Sequence, residues 1–152
     1  MLIDVCSAIP WLKEAVGYLV RSREEQGLVR HLENIGFVIS VIEGSKIKDY
    51  NSFFHCVLSA LNCDKDGNEN SHYIYNLLMQ TAVNKYHKIA FVWRDFDVTC
   101  AANFNISING VFIIKSASDE IKLKTIDGSC DSQIELFLFG NSADFISSDV
   151  DG

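Results

Sequence analysis

Little in this sequence stiffens or staples the chain. It has one proline in 152 residues. The five cysteines, Cys6, Cys56, Cys63, Cys100 and Cys130, are odd in number and no two stand at Cys-x-x-Cys spacing. That excludes a fully paired disulfide framework and the usual zinc pattern. No apolar run reaches the roughly 18 residues that a membrane-spanning helix needs, so no membrane association is expected. Met1 is not followed by a basic segment, so no secretory signal is read, and free thiols in that setting make the cytoplasm the expected location. Basic side chains are also scarce. Thirteen Lys/Arg against twenty Asp/Glu give a formal charge of −7, which counts against a nucleic-acid binder, because phosphates call for a basic face.

What is present is apolar. Hydrophobic residues make up 48% of the chain, ten of them phenylalanine, too many for a disordered acidic tail. A chain of this length buries a core without help from disulfides or metal, and with no internal repeat or linker it is expected to form a single domain over 1–152. The charge is uneven. Residues 1–96 carry ten basic and eleven acidic side chains, whereas residues 97–152 carry Lys115, Lys122 and Lys124 against nine acids, a net of −6. Such an imbalance suits a basic partner.

The apolar spacing divides the chain into elements. Residues 7–35 are expected to be helical: Ser7 is a capping residue, Pro10 sits near the first turn, and Ile9, Leu12, Val16, Leu19 and Val20 follow a 3–4 period. Gly36 is the stop. Phe37 to Ile42 is a β-branched run, read as a buried strand. Asp49 caps a helix whose face is Phe53, Phe54, Val57, Leu58 and Leu61. Cys63 to Asn70 is rich in turn formers and reads as a loop. Ser71 is the expected cap of a helix lined by Ile74, Leu77, Leu78 and Thr81, and Ile89 to Trp93 is a second buried strand. Beyond it, 103–139 reads as β-rich. Asn109-Gly110 predicts a two-residue hairpin, Glu120 to Ile126 alternates, and so does Gln133 to Phe139. Residues 141–152 are expected to fray. The fold class is therefore α/β: one mixed sheet with an antiparallel C-terminal part and helices packed on it.

Catalytic signatures are missing. The chain has no glycine-rich phosphate loop, no Gly-x-Ser-x-Gly elbow and no His-Glu-x-x-His. His31, His55, His72 and His87 show no metal-ligand spacing. Asp64, Asp66, Asn68 and Asn70 alternate like the start of a calcium loop, but Gly67 falls two positions early and the twelfth position is Tyr75 rather than Glu. No cofactor, no metal and no catalytic residue is expected.

One stretch carries a resemblance. Ile42-Glu43-Gly44-Ser45-Lys46-Ile47 precedes a capped helix with Phe53-Phe54, Leu58 and Leu61-Asn62. An acidic loop ending in Asn70 follows, then the helix of Leu77-Leu78, then Val92-Trp93-Arg94-Asp95-Phe96. In that order the segment 41–96 resembles the barstar family of ribonuclease inhibitors. The resemblance implies a cytoplasmic inhibitor that sets an acidic helix and its preceding loop into a basic nuclease, its carboxylates standing where RNA phosphates would lie. The family carries aspartates where this chain has His72 and Asn76, and a tryptophan where it has Tyr75. It also follows its second strand with a helix and a final parallel strand, where this sequence reads as hairpin and alternating strands.

The expected function is therefore that of an immunity protein, not an enzyme. It binds a cognate protein toxin, a basic nuclease domain, and occludes its active site, as in contact-dependent bacterial competition. The expected contact surface is Asp64, Asp66, Glu69, His72, Tyr75 and Asn76. Asp127, Asp131 and Glu135 form a second acidic surface. The alternatives are a non-catalytic adaptor or subunit of a larger assembly and, thirdly, a small enzyme using His72 or a cysteine with a carboxylate, which requires a concave pocket holding a titrating pair with shifted pKa values.

Overall fold

A computed structural model describes residues 2–12, 17–63 and 70–148. Its elements in chain order are α1 (Val5–Ala8), β1 (Tyr18–Arg21), α2 (Glu25–Asn34), β2 (Val38–Glu43), α3 (Tyr50–Ala60), α4 (Ser71–Thr81), β3 (Lys88–Arg94), α5 (Phe96–Ala102), α6 (Phe104–Ile126) and β4 (Gln133–Gly140). The strands form one sheet in the order β1-β4-β3-β2, and each neighbouring pair is parallel.

Strand alternation divides the core between the two faces of this sheet. Ile89, Phe91 and Trp93 of β3 and Ile134, Leu136 and Leu138 of β4 pack in one cluster with α3, α4 and α6. Ala90, Val92, Phe137 and Phe139 pack in a second cluster with Val5, Leu28 and Leu32. Covered on both faces, β3 from Ile89 to Trp93 and β4 from Leu136 to Phe139 are continuous apolar runs, as central parallel strands are, although 133–139 reads in sequence as a half-exposed alternating strand. β2 is an edge strand, and its Val38 is 38% exposed.

Local signals explain the middle of the chain. Asp49 caps α3 through a reciprocal box with Ser52, and Gly36, at φ 109°, ends the turn after α2 in a left-handed conformation that a Cβ disfavours. α4 is capped by Asn70, whose side chain accepts from the Tyr73 N–H. Ser71, the expected cap, is the first helical residue.

Two expectations are corrected at the N-terminus. The stretch 7–35 is not one helix: α1 ends at Ala8, Tyr18–Arg21 is strand β1, and helix resumes at Glu25. Ser7 does not cap; its N–H donates to Asp4, the residue that caps α1. Leu19 and Val20 fit a helical period in sequence, but the chain here pairs with Leu138 and Phe139 of β4.

The larger correction is at the C-terminus. The sheet has no antiparallel part among the described residues, and 103–139 is not β-rich. Phe104–Ile126 is a single 23-residue helix that contains both Asn109-Gly110 and the alternating stretch 120–126. Gly110 is there for packing. A Cβ at this position would lie 2.8 Å from ring atoms of Phe53 and Trp93, so the missing side chain lets α6 settle on α3 and the sheet. A helix of 23 residues is about 35 Å long. It carries the chain back along the sheet, so β4 enters parallel to β3. The tail is also held as far as Ser148: Phe145 is buried, and Ile146 donates to Leu19 O and accepts from Arg21 N–H, closing the outer edge of β1. Among the described residues no helix is long and apolar enough to cross a membrane.

Candidate partner interface on the fourth helix

α4 buries Ile74, Leu78 and Thr81 against the sheet and turns its other side outward. His72 and Asn76 stand one turn apart on that outer side, both exposed, with Asn76 Nδ2 3.1 Å from His72 Nε2. Tyr75 is half-buried and packs against the core. Burial pushes its phenol above the ordinary value, and the nearby Glu120 carboxylate adds to this. The structure thus brings His72 and Asn76 together and sets Tyr75 beside them, toward α6. Asp64, Asp66 and Glu69 lie outside the described residues, in the chain just before the α4 cap.

The second acidic surface is largely dismantled. Glu135 lies in the middle of β4 and is 6% exposed, so it cannot contribute to a charged face. Asp127 is exposed but occupied locally: its Oδ1 accepts from both the N–H and the hydroxyl of Ser129, which holds its carboxyl below the usual range. Asp131 is exposed and faces Lys88 Nζ at 4.0 Å.

A cluster outside the expected site is better defined. Arg94, at the end of β3, pairs with Glu25 at 2.8 Å and Glu43 at 2.6 Å, and the Glu25 hydrogen bonds raise its pKa above the ordinary arginine value. It does not pair with Asp95, whose backbone is left-handed at φ 52°. A groove of about 450 Å³ runs beside this cluster between α2 and β2, floored by Val29, Ile39 and Val41. Arg94 is conspicuous in sequence, but nothing local announces a partner on another strand and another helix.

A smaller groove of about 270 Å³ between α3 and β2 contains Glu43, Lys46, His55 and Cys56. The Cys56 thiol points at the Glu43 carbonyl at 3.8 Å, and burial raises its pKa. A nucleophilic thiol needs the opposite shift. Among the described residues no three His, Cys, Asp or Glu side chains come together in a way that could hold a metal ion.

No protein-family model matches the chain, and none of the curated proteins does.

Proposed function

We propose that this protein is a cytoplasmic immunity protein that binds a toxin with a basic nuclease domain and occludes its active site. One observation carries the reading. From Val38 to Gly140 the chain runs strand, two helices, strand, two helices, strand, with every strand parallel. A helix region and a final parallel strand after the tryptophan strand are what the barstar resemblance implies, and the sequence pattern alone pointed elsewhere.

In this reading the toxin meets the acidic segment before α4 together with the outer side of that helix. Asp64, Asp66 and Glu69 supply the charge that stands in for phosphate. Tyr75 is the aromatic anchor, and the His72 and Asn76 side chains add hydrogen-bonding groups. Inhibition is steric and electrostatic, with no turnover.

The test is a nuclease assay on the product of the gene immediately upstream, with and without this protein. Equimolar protein is expected to abolish cleavage, and the joint change Asp64→Lys and Asp66→Lys to slow association roughly tenfold and flatten its salt dependence. Tight binding that leaves cleavage intact would instead favour the adaptor reading.

A further inference from the structure

The sheet has two edges, and the chain closes only one of them. Along β1 the chain's own Ile146 accepts from the Arg21 N–H and donates to Leu19 O. Along β2 no strand pairs on the outer side among the described residues. Alternate residues of this six-residue strand therefore aim backbone N–H and C=O groups away from the sheet. Exposed edges are ordinarily guarded by lysine, proline, a bulge or shortness. Val38–Glu43 contains neither lysine nor proline, and its register with β3 runs unbroken from Val38 to Glu43. A groove opens on each face of this edge, one against α2 and one against α3, and Val41 lines both.

Ser40, in the middle of the strand, carries a further mark. It is 1% exposed, and its hydroxyl has no hydrogen-bond partner, a costly state for a buried polar group. About this residue the strand reads nearly the same in both directions, Val-Ile-Ser-Val-Ile from Val38 to Ile42. We propose that β2 is the interface of a homodimer, pairing antiparallel with β2 of a second copy about a two-fold axis at Ser40, so that two four-stranded sheets join into one. That operation sets Val38 against Ile42 of the second copy, Ile39 against Val41 of the second copy, and Ser40 against Ser40 of the second copy. Opposite residues of an antiparallel pair lie on one face with Cβ atoms about 4.5–5.5 Å apart, so two serine hydroxyls meet at the axis. Each hydroxyl can donate as well as accept, and the two satisfy each other.

A second copy is the occupant that this edge matches. A two-fold contact must complement itself, and a nearly palindromic apolar strand with a self-pairing hydroxyl at its centre does so residue by residue. The charges agree. The grooves flanking the edge hold Glu25, Glu33 and Glu43 against Arg30, Lys46 and Arg94. Two chains of charge −7 therefore approach here along a neutral border, where repulsion is least. Glu43 lies one residue beyond the paired stretch, so no carboxylate is placed between the strands.

Light scattering on the purified full chain tests this. The expected mass is twice the 17.1 kDa of the chain. Val38→Lys guards the edge as natural edge strands are guarded, and it should raise the dimer dissociation constant by about tenfold. Val38 is 38% exposed, so the far-ultraviolet circular dichroism spectrum should not change. Ser40→Cys should give, on mild oxidation, a covalent dimer in which peptide mapping finds position 40 joined to position 40 of the second copy. A monomeric wild-type chain overturns the proposal, and so does a dimer that is insensitive to Val38→Lys and does not cross-link through position 40. A monomer whose β2 amides gain exchange protection only on adding the toxin would overturn it too, and would give the edge to a strand of that partner instead.

Discussion

Arg94 and Glu25, 69 residues apart in the chain, meet in a two-point ion pair, with the guanidinium Nε 2.8 Å from one carboxylate oxygen. The same guanidinium reaches Glu43 through its other arm. One side chain thus ties α2 to both β3 and the edge strand β2. Because the Arg94 side chain is 42% exposed, water screens the pair. Arg94→Met is expected to cost about 1 kcal/mol, lowering the melting temperature by roughly 2–4 °C. A double-mutant cycle with Glu25→Gln should show coupling between the two residues; strict additivity would show that the pair contributes nothing.

Gly110 and Gly27 should respond oppositely to the same change. Both lie inside helices, where alanine is favoured by about 1 kcal/mol. A Cβ at Gly27 meets nothing within 4 Å, whereas one at Gly110 meets Phe53 and Trp93 at 2.8 Å. Gly27→Ala should therefore stabilise by about 0.5–1 kcal/mol, and Gly110→Ala should destabilise by about 1–3 kcal/mol as overpacking outweighs propensity. Urea unfolding of the two variants measures this.

The α3 cap predicts a pH dependence. The Ser52 N–H bond, first, and the Ser52 hydroxyl hold the Asp49 carboxyl below its usual 3.8. The folded pKa is depressed, so the cap's contribution is complete above the unfolded value and is lost as pH falls through 3.8 toward the folded value. Asp49→Asn keeps a capping oxygen but removes the titration, and it should shrink the loss of stability between pH 5 and pH 2 measured by chemical denaturation. An Asp49 carboxyl that titrates at or above 3.8 by NMR would count against the cap's role.

Thiol labelling should distinguish folded from unfolded protein. Burial raises the pKa of both Cys56 and Cys100, which lowers the thiolate fraction. Both should react with a maleimide more slowly than free cysteine at pH 8, and denaturant should abolish the difference.

The outer side of α4 gives a fifth test. Asn76→Asp places a carboxylate where the barstar family carries one. With a basic nuclease domain as partner, this variant should associate faster at low salt than the wild type, by stopped-flow fluorescence. An unchanged association rate would place α4 outside the interface.

Composition and local spacing were enough to locate β2, β3, α3 and α4 and to set the start of α3 at Asp49, while the cap of α4 is one residue before the expected Ser71. Those features rest on contacts within a few residues: a capping box, a turn, a short apolar period. Residues 104–126 do not look helical in sequence because their apolar side chains lie on both sides of the helix, the buried Ile106 and Ile114 on one and the exposed Phe104 and Phe112 on the other. That blurs the helical period, and Asn109-Gly110 reads as a turn unless Phe53 and Trp93 are known to need the space. β1 was hidden for a related reason. Four residues long, it is strand only because β4, more than a hundred residues later, pairs with it.

The candidate site was legible in the same measure. His72 and Asn76 share a helix face because their spacing is local. The partners of Arg94 and the burial of Glu135 were invisible because they depend on which elements the sheet brings together. Strand direction was likewise decided by tertiary structure alone. A strand's own residues set its faces, but whether it enters parallel or antiparallel depends on how far the chain travels before it returns, and here α6 carries it the full length of the sheet.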